Sequence, residues 1–338
     1  MSRWLAGPGP LLLAVALLAL LPLLQRPEWP WPTYRYLVVV DLTQSMNVTD
    51  AAPESERTRM AHARVALDAV LTALPCGAEV GLGLFSGHRS LLLFSPVEVC
   101  AQRRELRTMV AGIDWRMAWT ARSEVAKGLH DAIRVAAELG GETRLVFVTD
   151  GHEAPPLHPV YRPRFRGKPG AIRGLIVGVG GLRPVPIPKL DRNGEQIGVW
   201  SADEVQQVDS YSFGRAGTNV AGEAMVGVDG GDLEARIRAG TEHLSQLRET
   251  HLEQLAAETG LYYHRLRHPA ALVERLQARD LSVTRPQALD LRWLPAVLTL
   301  LLVLAGHLPR PGLSRPGLSR PGLSRPGLSR LGRNQATP

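Results

Sequence analysis

Asp41, Thr43 and Ser45 alternate along Asp41-Leu-Thr43-Gln-Ser45-Met46. In an extended chain their side chains point the same way, which gathers three hard oxygen donors. Directly ahead runs Tyr36-Leu-Val-Val-Val, a short apolar stretch without alternation, the pattern of a strand buried on both faces of a parallel sheet. Ligands of open α/β sheets bind at the carboxyl ends of such strands. A converging set of oxygens there suits Mg²⁺, with Ca²⁺ or Mn²⁺ as alternatives, and needs neither sulfur nor imidazole. Taken alone, the motif also fits a strand-to-helix turn whose Asp and Ser cap the next helix.

Two further segments carry oxygens to comparable positions. Ser123, with Thr120 close by, precedes a helical pattern that turns Val125, Leu129, Ile133 and Ala136 inward. Asp150 ends the apolar run Arg144-Leu-Val-Phe-Val-Thr. The predicted metal ligands are therefore Asp41, Thr43, Ser45, Ser123 and Asp150. Trp115 and Trp119 before Ser123, and His152 and Glu153 after Asp150, are candidates for the surface that meets a partner, since aromatics are enriched at binding hot spots.

The elements that must position these residues alternate. A helix is predicted over 57–74, with Met60, Ala63, Leu67, Val70, Leu71 and Leu74 on one face, closed by Pro75 and Gly77. Val80–Phe85 and Leu91–Phe94 read as a hairpin, followed by a helix over 101–113. Strands over 144–148 and 172–179 come next, then a small hairpin or lobe turning at Asp191-Arg-Asn193-Gly194. Residues 201–231 are glycine-rich and weakly patterned. A helical pattern resumes at Leu233 and runs to Gly260; a strand over 261–264 and a helix over 269–278 close the series. The fold class is α/β: a doubly wound, mostly parallel sheet with helices on both faces.

The ends differ in character. Residues 1–26 contain an uncharged run from Trp4 to Leu24, long enough to span a bilayer, and are expected to be an uncleaved anchor. A cleaved signal peptide is the competing reading, but no small-residue cleavage site follows Leu24. Residues 27–35 are a stiff Pro/Trp linker. A second uncharged run, 293–309, is expected to be a shorter transmembrane helix flanking an arginine-rich tail. The tail, 310–338, repeats Pro-Gly-Leu-Ser-Arg four times over 311–330, a composition that cannot bury a core. Positive residues stay cytoplasmic, so both termini are expected inside and everything between faces the bacterial periplasm. The net charge is +7, and six arginines without an acid lie from Arg310 onward, so the folded part is near neutral and makes no case for nucleic acid. Cys76 and Cys100, the only two cysteines, fall at the base of the predicted hairpin; a disulfide and two free thiols both remain open. Neither H-E-x-x-H, G-x-S-x-G nor a phosphate loop is present.

Asp-x-Thr-x-Ser-Met after an apolar strand resembles the metal-ion-dependent adhesion site of von Willebrand factor type A domains. The likeness continues through Val-Phe-Val-Thr-Asp150-Gly, Ile-Val-Gly-Val-Gly and Leu-Ala-Ala-Glu-Thr-Gly-Leu-Tyr-Tyr, in order over about 36–280, with an insertion near 182–232. In that family the middle segment usually carries Thr; here Ser123 takes its place. The resemblance implies a binding protein rather than an enzyme, whose metal keeps one position for a partner's Asp or Glu. A metal-dependent hydrolase is the less favoured reading. Leu-Pro-Cys76-Gly, Trp115-Arg-Met-Ala-Trp119 and Thr149-Asp-Gly-His-Glu-Ala-Pro-Pro156 are similar to von Willebrand A proteins encoded with periplasmic quinoprotein methanol dehydrogenases. That likeness implies a role in dehydrogenase maturation or metal insertion, with a MoxR-type ATPase and other von Willebrand A proteins as partners. An envelope adhesion receptor is the alternative.

Overall fold

The computed structural model describes residues 9–20, 28–51, 57–140, 142–158, 162–207, 240–288, 291 and 293–307. Residues 28–287 form one compact unit, and the two ends form another.

In chain order the first unit contains β1 (Glu28–Thr33), β2 (Arg35–Asp41), α2 (Arg59–Ala73), β3 (Glu79–Ser86), β4 (Arg89–Glu98), α3 (Arg103–Ala111) and α4 (Val125–Glu138). It continues with β5 (Arg144–Thr149), β6 (Gly174–Gly178), β7 (Val185–Pro186), β8 (Pro188–Leu190), β9 (Gln196–Val199) and β10 (Leu244–Ser245). Last come α5 (Glu249–Thr259), β11 (Tyr262–Arg265), α6 (Pro269–Leu276) and β12 (Val283–Ala288). The main sheet has six strands in the order β11-β6-β5-β2-β3-β4. Every neighbouring pair is parallel except β3–β4, the hairpin at one edge.

The uninterrupted apolar run of β2 has a simple cause. Tyr36, Val38 and Val40 enter the core under α2, α3 and α6. Leu37 and Val39 enter the core under α4 and α5. A strand covered on both faces has no solvent side to mark with polar residues. The inward stripe predicted for α2 is buried along its length. Thr58 caps this helix, its hydroxyl accepting from Ala61 N–H.

The strand order reverses about β2: the chain moves from β2 to β3 on one side and returns to β5 on the other. Ligand sites of open α/β sheets lie at such a switch point. Here it is the gap between the carboxyl ends of β2 and β5, where Asp41 and Asp150 stand. At the opposite end of the sheet Cys76 and Cys100 form a disulfide, with Cα atoms 5.2 Å apart, that ties together the open end of the β3–β4 hairpin. Glu98 beside it accepts from Gly77 and Ala101 N–H groups, so this cluster is structural.

Two segments differ from the sequence reading, and a third lies outside the described residues. Residues 28–33, read as part of a spacer, form β1 and pair with β12 in a separate two-stranded ribbon; prolines are tolerated there because an edge strand leaves one side of its backbone unpaired. The helical pattern from Leu233 does not hold through 240–248, which turns and contributes β10 before α5 starts at Glu249. Tertiary pairing of β10 with β7 overrides the local pattern there. Residues 208–239, which include most of the weakly patterned segment, lie outside the described residues.

The second unit holds α1 (Gly9–Leu20) and α7 (Trp293–His307), of 12 and 15 residues, packed on each other. Among the described residues no helix is long and apolar enough to cross a membrane. At about 1.5 Å per residue, both fall short of the roughly 30 Å hydrocarbon core. The expected spans at 1–26 and 293–309 continue outside the described residues, as does the whole repeat tail.

Candidate metal centre

Asp41 is the last residue of β2, and Thr43 and Ser45 follow in a tight turn over Gln44–Asn47. All three are buried. The Asp41 carboxylate accepts from Thr43 N–H at 2.9 Å through one oxygen and from the Thr149 hydroxyl at 2.6 Å through the other. The Thr43 and Ser45 hydroxyl oxygens lie 3.2 Å apart, so the alternation read from the sequence does bring these groups together.

Asp150 follows β5 and is fully buried. One carboxylate oxygen accepts from His152 N–H at 2.9 Å; the other accepts from Arg59 at 2.5 Å and from the Ser245 hydroxyl at 3.3 Å. Arg59 Nη1 donates both to this carboxylate and to the Ser45 C=O, which joins the first and third segments through one guanidinium. Gly151 takes a positive φ of 77°, and a Cβ there would meet Leu252 at 2.9 Å. Glycine is what lets the chain turn at this point.

Ser123 precedes α4. Its N–H donates to Ala154 C=O and its C=O accepts from Ala154 N–H, both at 2.7 Å. Glu124 N–H donates to Gly87 C=O at 2.6 Å, so the backbone here is stitched between the hairpin turn and the Asp150 loop. Yet Ser123 Oγ, on a residue 1% exposed, has no hydrogen-bond partner among the described residues. Leaving such a group unpaired costs on the order of 1–3 kcal/mol.

Sequence reasoning passed over Arg59. It is 0% exposed, in the first turn of α2. Its guanidinium forms a fork with Asp50, at 2.7 and 2.6 Å, and donates to Asp150, to the Ser45 C=O at 3.2 Å and to the Ser245 hydroxyl at 2.6 Å. Gly180 makes room: a Cβ there would sit 2.6 Å from Arg59 Nε. A signal was present, since Arg59 lies at helical spacing from Ala63, Ala66 and Val70, all buried. A cation on that stripe needs buried acids to meet it.

These contacts set the charges apart. Burial pushes the Asp41 carboxyl up to about 7, and the nearby Asp150 charge adds to this, against the hydrogen bonds from Thr149 and Thr43. Burial acts upward on Asp150 as well, but the Arg59 guanidinium beside it and the hydrogen bonds it accepts hold it below the ordinary carboxylate range. Burial works against the Arg59 charge, and the Asp50 and Asp150 carboxylates outweigh it. Two enclosed carboxylates of unequal acidity face each other, and one guanidinium balances only part of their charge.

A hard divalent cation fits this donor set. Asp41 and Asp150 bring negative charge; Thr43, Ser45 and Ser123 bring hydroxyl oxygens; and the unpartnered Ser123 Oγ is an acceptor with nothing to accept from. Both Asp150 oxygens already hold donors, so lone pairs that remain on them would serve a cation or its water.

The residues proposed for partner contact are arranged differently. Trp119 is exposed, and Trp115 is half-buried in the short turn Trp115–Met117. His152 is buried, and burial pushes its imidazole down to about 4. Glu153 faces inward rather than toward a partner: its carboxylate accepts from Val125 and Ala126 N–H at 2.9 and 2.8 Å, and pairs with His251 at 3.1 Å. The reason is electrostatic. The free N–H groups at the start of α4 and its dipole attract a carboxylate. Thr43, Ser45, Ser123 and His152 all line one cleft of about 240 Å³ at the sheet edge.

No protein-family model matches the chain, and no curated protein matches it. Among solved structures it is similar to an aerotolerance-related membrane protein from Bacteroides fragilis, at 14% identity over 72% of this chain and 96% of that chain, with a TM-score of 0.44. It is also similar to the conserved hypothetical protein BatB from Bacteroides thetaiotaomicron, at 16% identity over 72% and 96%, TM-score 0.43. A von Willebrand factor type A structure from Catenulispora acidiphila shares 12% identity over 76% of this chain and 49% of that one, TM-score 0.39. The fold is a mostly parallel α/β sheet with helices on both faces.

Proposed function

We propose that this chain is a membrane-anchored binding protein of the bacterial periplasm, not an enzyme, and that its cation site captures an acidic side chain of a partner protein. The observation that carries the reading is Ser123 Oγ, buried and unpartnered in the cleft it shares with Thr43 and Ser45. A bound Mg²⁺ would supply a hard positive centre with a position left for an incoming carboxylate. The protein's own residues do the rest. Thr43 N–H and Thr149 orient Asp41; Arg59 and Ser245 orient Asp150; the Ala154 pairing fixes Ser123.

The expected partner is a periplasmic quinoprotein dehydrogenase of the methanol type, with this protein as an accessory in its maturation or metal insertion, alongside a MoxR-type ATPase and other von Willebrand A proteins. Local sequence likeness around Trp115–Trp119 and Thr149–Pro156 supports this choice. The apolar runs at 4–24 and 293–309 and the arginine-rich tail support the anchored topology.

The test is affinity capture from membrane extracts with Mg²⁺ and then with a chelator. Chelation should release the partner, and Asp41→Asn should weaken capture at least about tenfold while the domain stays folded by circular dichroism. Capture that ignores both chelator and mutation would end the reading. Recovery of an extracellular surface ligand in place of a dehydrogenase would move the protein to the adhesion class.

A further inference from the structure

The cleft over Ser45 and Ser123 has a second wall that the cation ligands do not explain. Ile187 and Trp200 reach it from the β7–β9 lobe, and Glu242 from the segment before β10. The lobe is tied by the two-residue β7–β10 ladder and by Trp200 N–H donating to Ile187 C=O at 3.0 Å. Lys189 Nζ lies 4.7 Å from the centre of a Trp200 ring and steadies the indole. Among the described residues the indole Nε1 nevertheless has no hydrogen-bond partner, nor do the two ring nitrogens of His152, a residue 2% exposed, although its Nε2 lies 4.0 Å from a Glu242 carboxylate oxygen. Together with Ser123 Oγ, unmet polar atoms from three separate segments gather around one cleft. Buried polar groups are paired in the great majority of cases, so such a cluster points to a ligand.

We infer that the cleft takes an extended segment of a partner chain, seating one acidic side chain over Ser45 and Ser123 while the Trp200 indole N–H and the His152 ring meet that segment's backbone. This rests on the cation-dependent reading above and names the form of the ligand. The volume, about 240 Å³, is below the roughly 300–1,000 Å³ of pockets that enclose whole drug-sized ligands. It has room for a side chain and its adjoining peptide units. An indole N–H only donates, so it calls for a carbonyl or carboxylate oxygen. The ring nitrogens of His152 can serve both the N–H and the C=O of a peptide. Glu242 on the same wall disfavours a second acid beside it, whereas Glu204 is paired with Lys189, so the segment carries one acid with neutral residues on the Glu242 side. In the present conformation the indole nitrogen is screened, so its engagement requires the lobe to shift.

The test uses the full chain with ¹⁵N-labelled tryptophan, which gives seven indole signals, and the blocked tripeptide glycyl-aspartyl-glycine as probe, with acetate as a second arm. Trp200→Phe assigns the Trp200 signal by its loss. With Mg²⁺, the peptide should shift the Trp200 indole N–H and bind more tightly than acetate, and Trp200→Phe should raise the peptide Kd about tenfold. Equal affinity for peptide and acetate, or an unmoved Trp200 signal on Mg²⁺-dependent peptide binding, overturns the inference and leaves the cation reading standing. Peptide binding that is absent, or the same with and without Mg²⁺, overturns the cation reading and this inference with it.

Discussion

Asp150 and Ser123, two of the predicted cation ligands, are built in opposite ways. The Asp150 carboxylate is enclosed and engaged at both oxygens, by His152 N–H on one side and by Arg59 and Ser245 on the other. Ser123 is held just as firmly through its main chain, by paired 2.7 Å hydrogen bonds to Ala154, but its hydroxyl has no hydrogen-bond partner among the described residues. The sheet-edge side therefore supplies its own countercharge and stands without a ligand. The α4 side fixes an oxygen in place and leaves it unsatisfied. A binding site needs both: a charged floor that survives the empty state, and a donor or acceptor whose partner arrives from outside.

The contrast breaks most severely at Arg59. Arg59→Met keeps the stem's packing but strands the fully buried Asp150, and the partly exposed Asp50, without their countercharge. Loss of one partner of a buried pair costs about 3–5 kcal/mol, so urea unfolding should show a drop of that order. A change below about 1 kcal/mol, within the range of exposed ion pairs, would mean that the guanidinium does not balance the floor.

A smaller effect is expected on the α4 side. Glu153→Gln replaces a carboxylate that accepts from two N–H groups at the start of α4 by an amide that can accept through only one oxygen. It should cost about 1–3 kcal/mol and loosen the helix that follows Ser123, read as faster hydrogen exchange at Val125 and Ala126. Unchanged exchange at both would show that Glu153 does not brace this side.

The smallest change in stability should come from Ser123→Ala. Removing this buried hydroxyl relieves its desolvation penalty but gives up its packing. The two largely offset, so the change should alter unfolding by less than about 0.5 kcal/mol, or stabilise slightly, while Mg²⁺ affinity measured by calorimetry falls at least about tenfold. A stability loss above about 1 kcal/mol, the worth of an ordinary hydrogen bond, would reveal a partner for Ser123 within the protein and remove the asymmetry.

Much of this architecture was legible in the chain because the signals are short-range. The unalternating run ahead of Asp41 marks a strand covered on both faces. The stripe from Met60 to Leu74 marks a helix, and Asp191-Arg-Asn193-Gly194 marks the turn between β8 and β9. Asp41, Thr43 and Ser45 could be placed on one side of one turn from their spacing alone, and Asp150 at a strand end from the run before it. Each of these follows from backbone geometry over a few residues.

What only the tertiary structure decided depends on residues far apart. Arg59 reads locally as a polar residue near a helix start; its burial depends on Asp50, Asp150 and Ser245, which are 9, 91 and 186 positions away. Residues 240–248 carry a helical pattern, yet pairing with β7 and the demand of Arg59 for the Ser245 hydroxyl hold them out of a helix. Glu153 looks like a surface acid beside a metal until α4 sets its unpaired N–H groups against it. The sequence alone specified which oxygens could meet a cation; the packed fold decided which are already satisfied and which are left to a ligand, because a buried charge or hydrogen bond is settled only when every element that can reach it is in place.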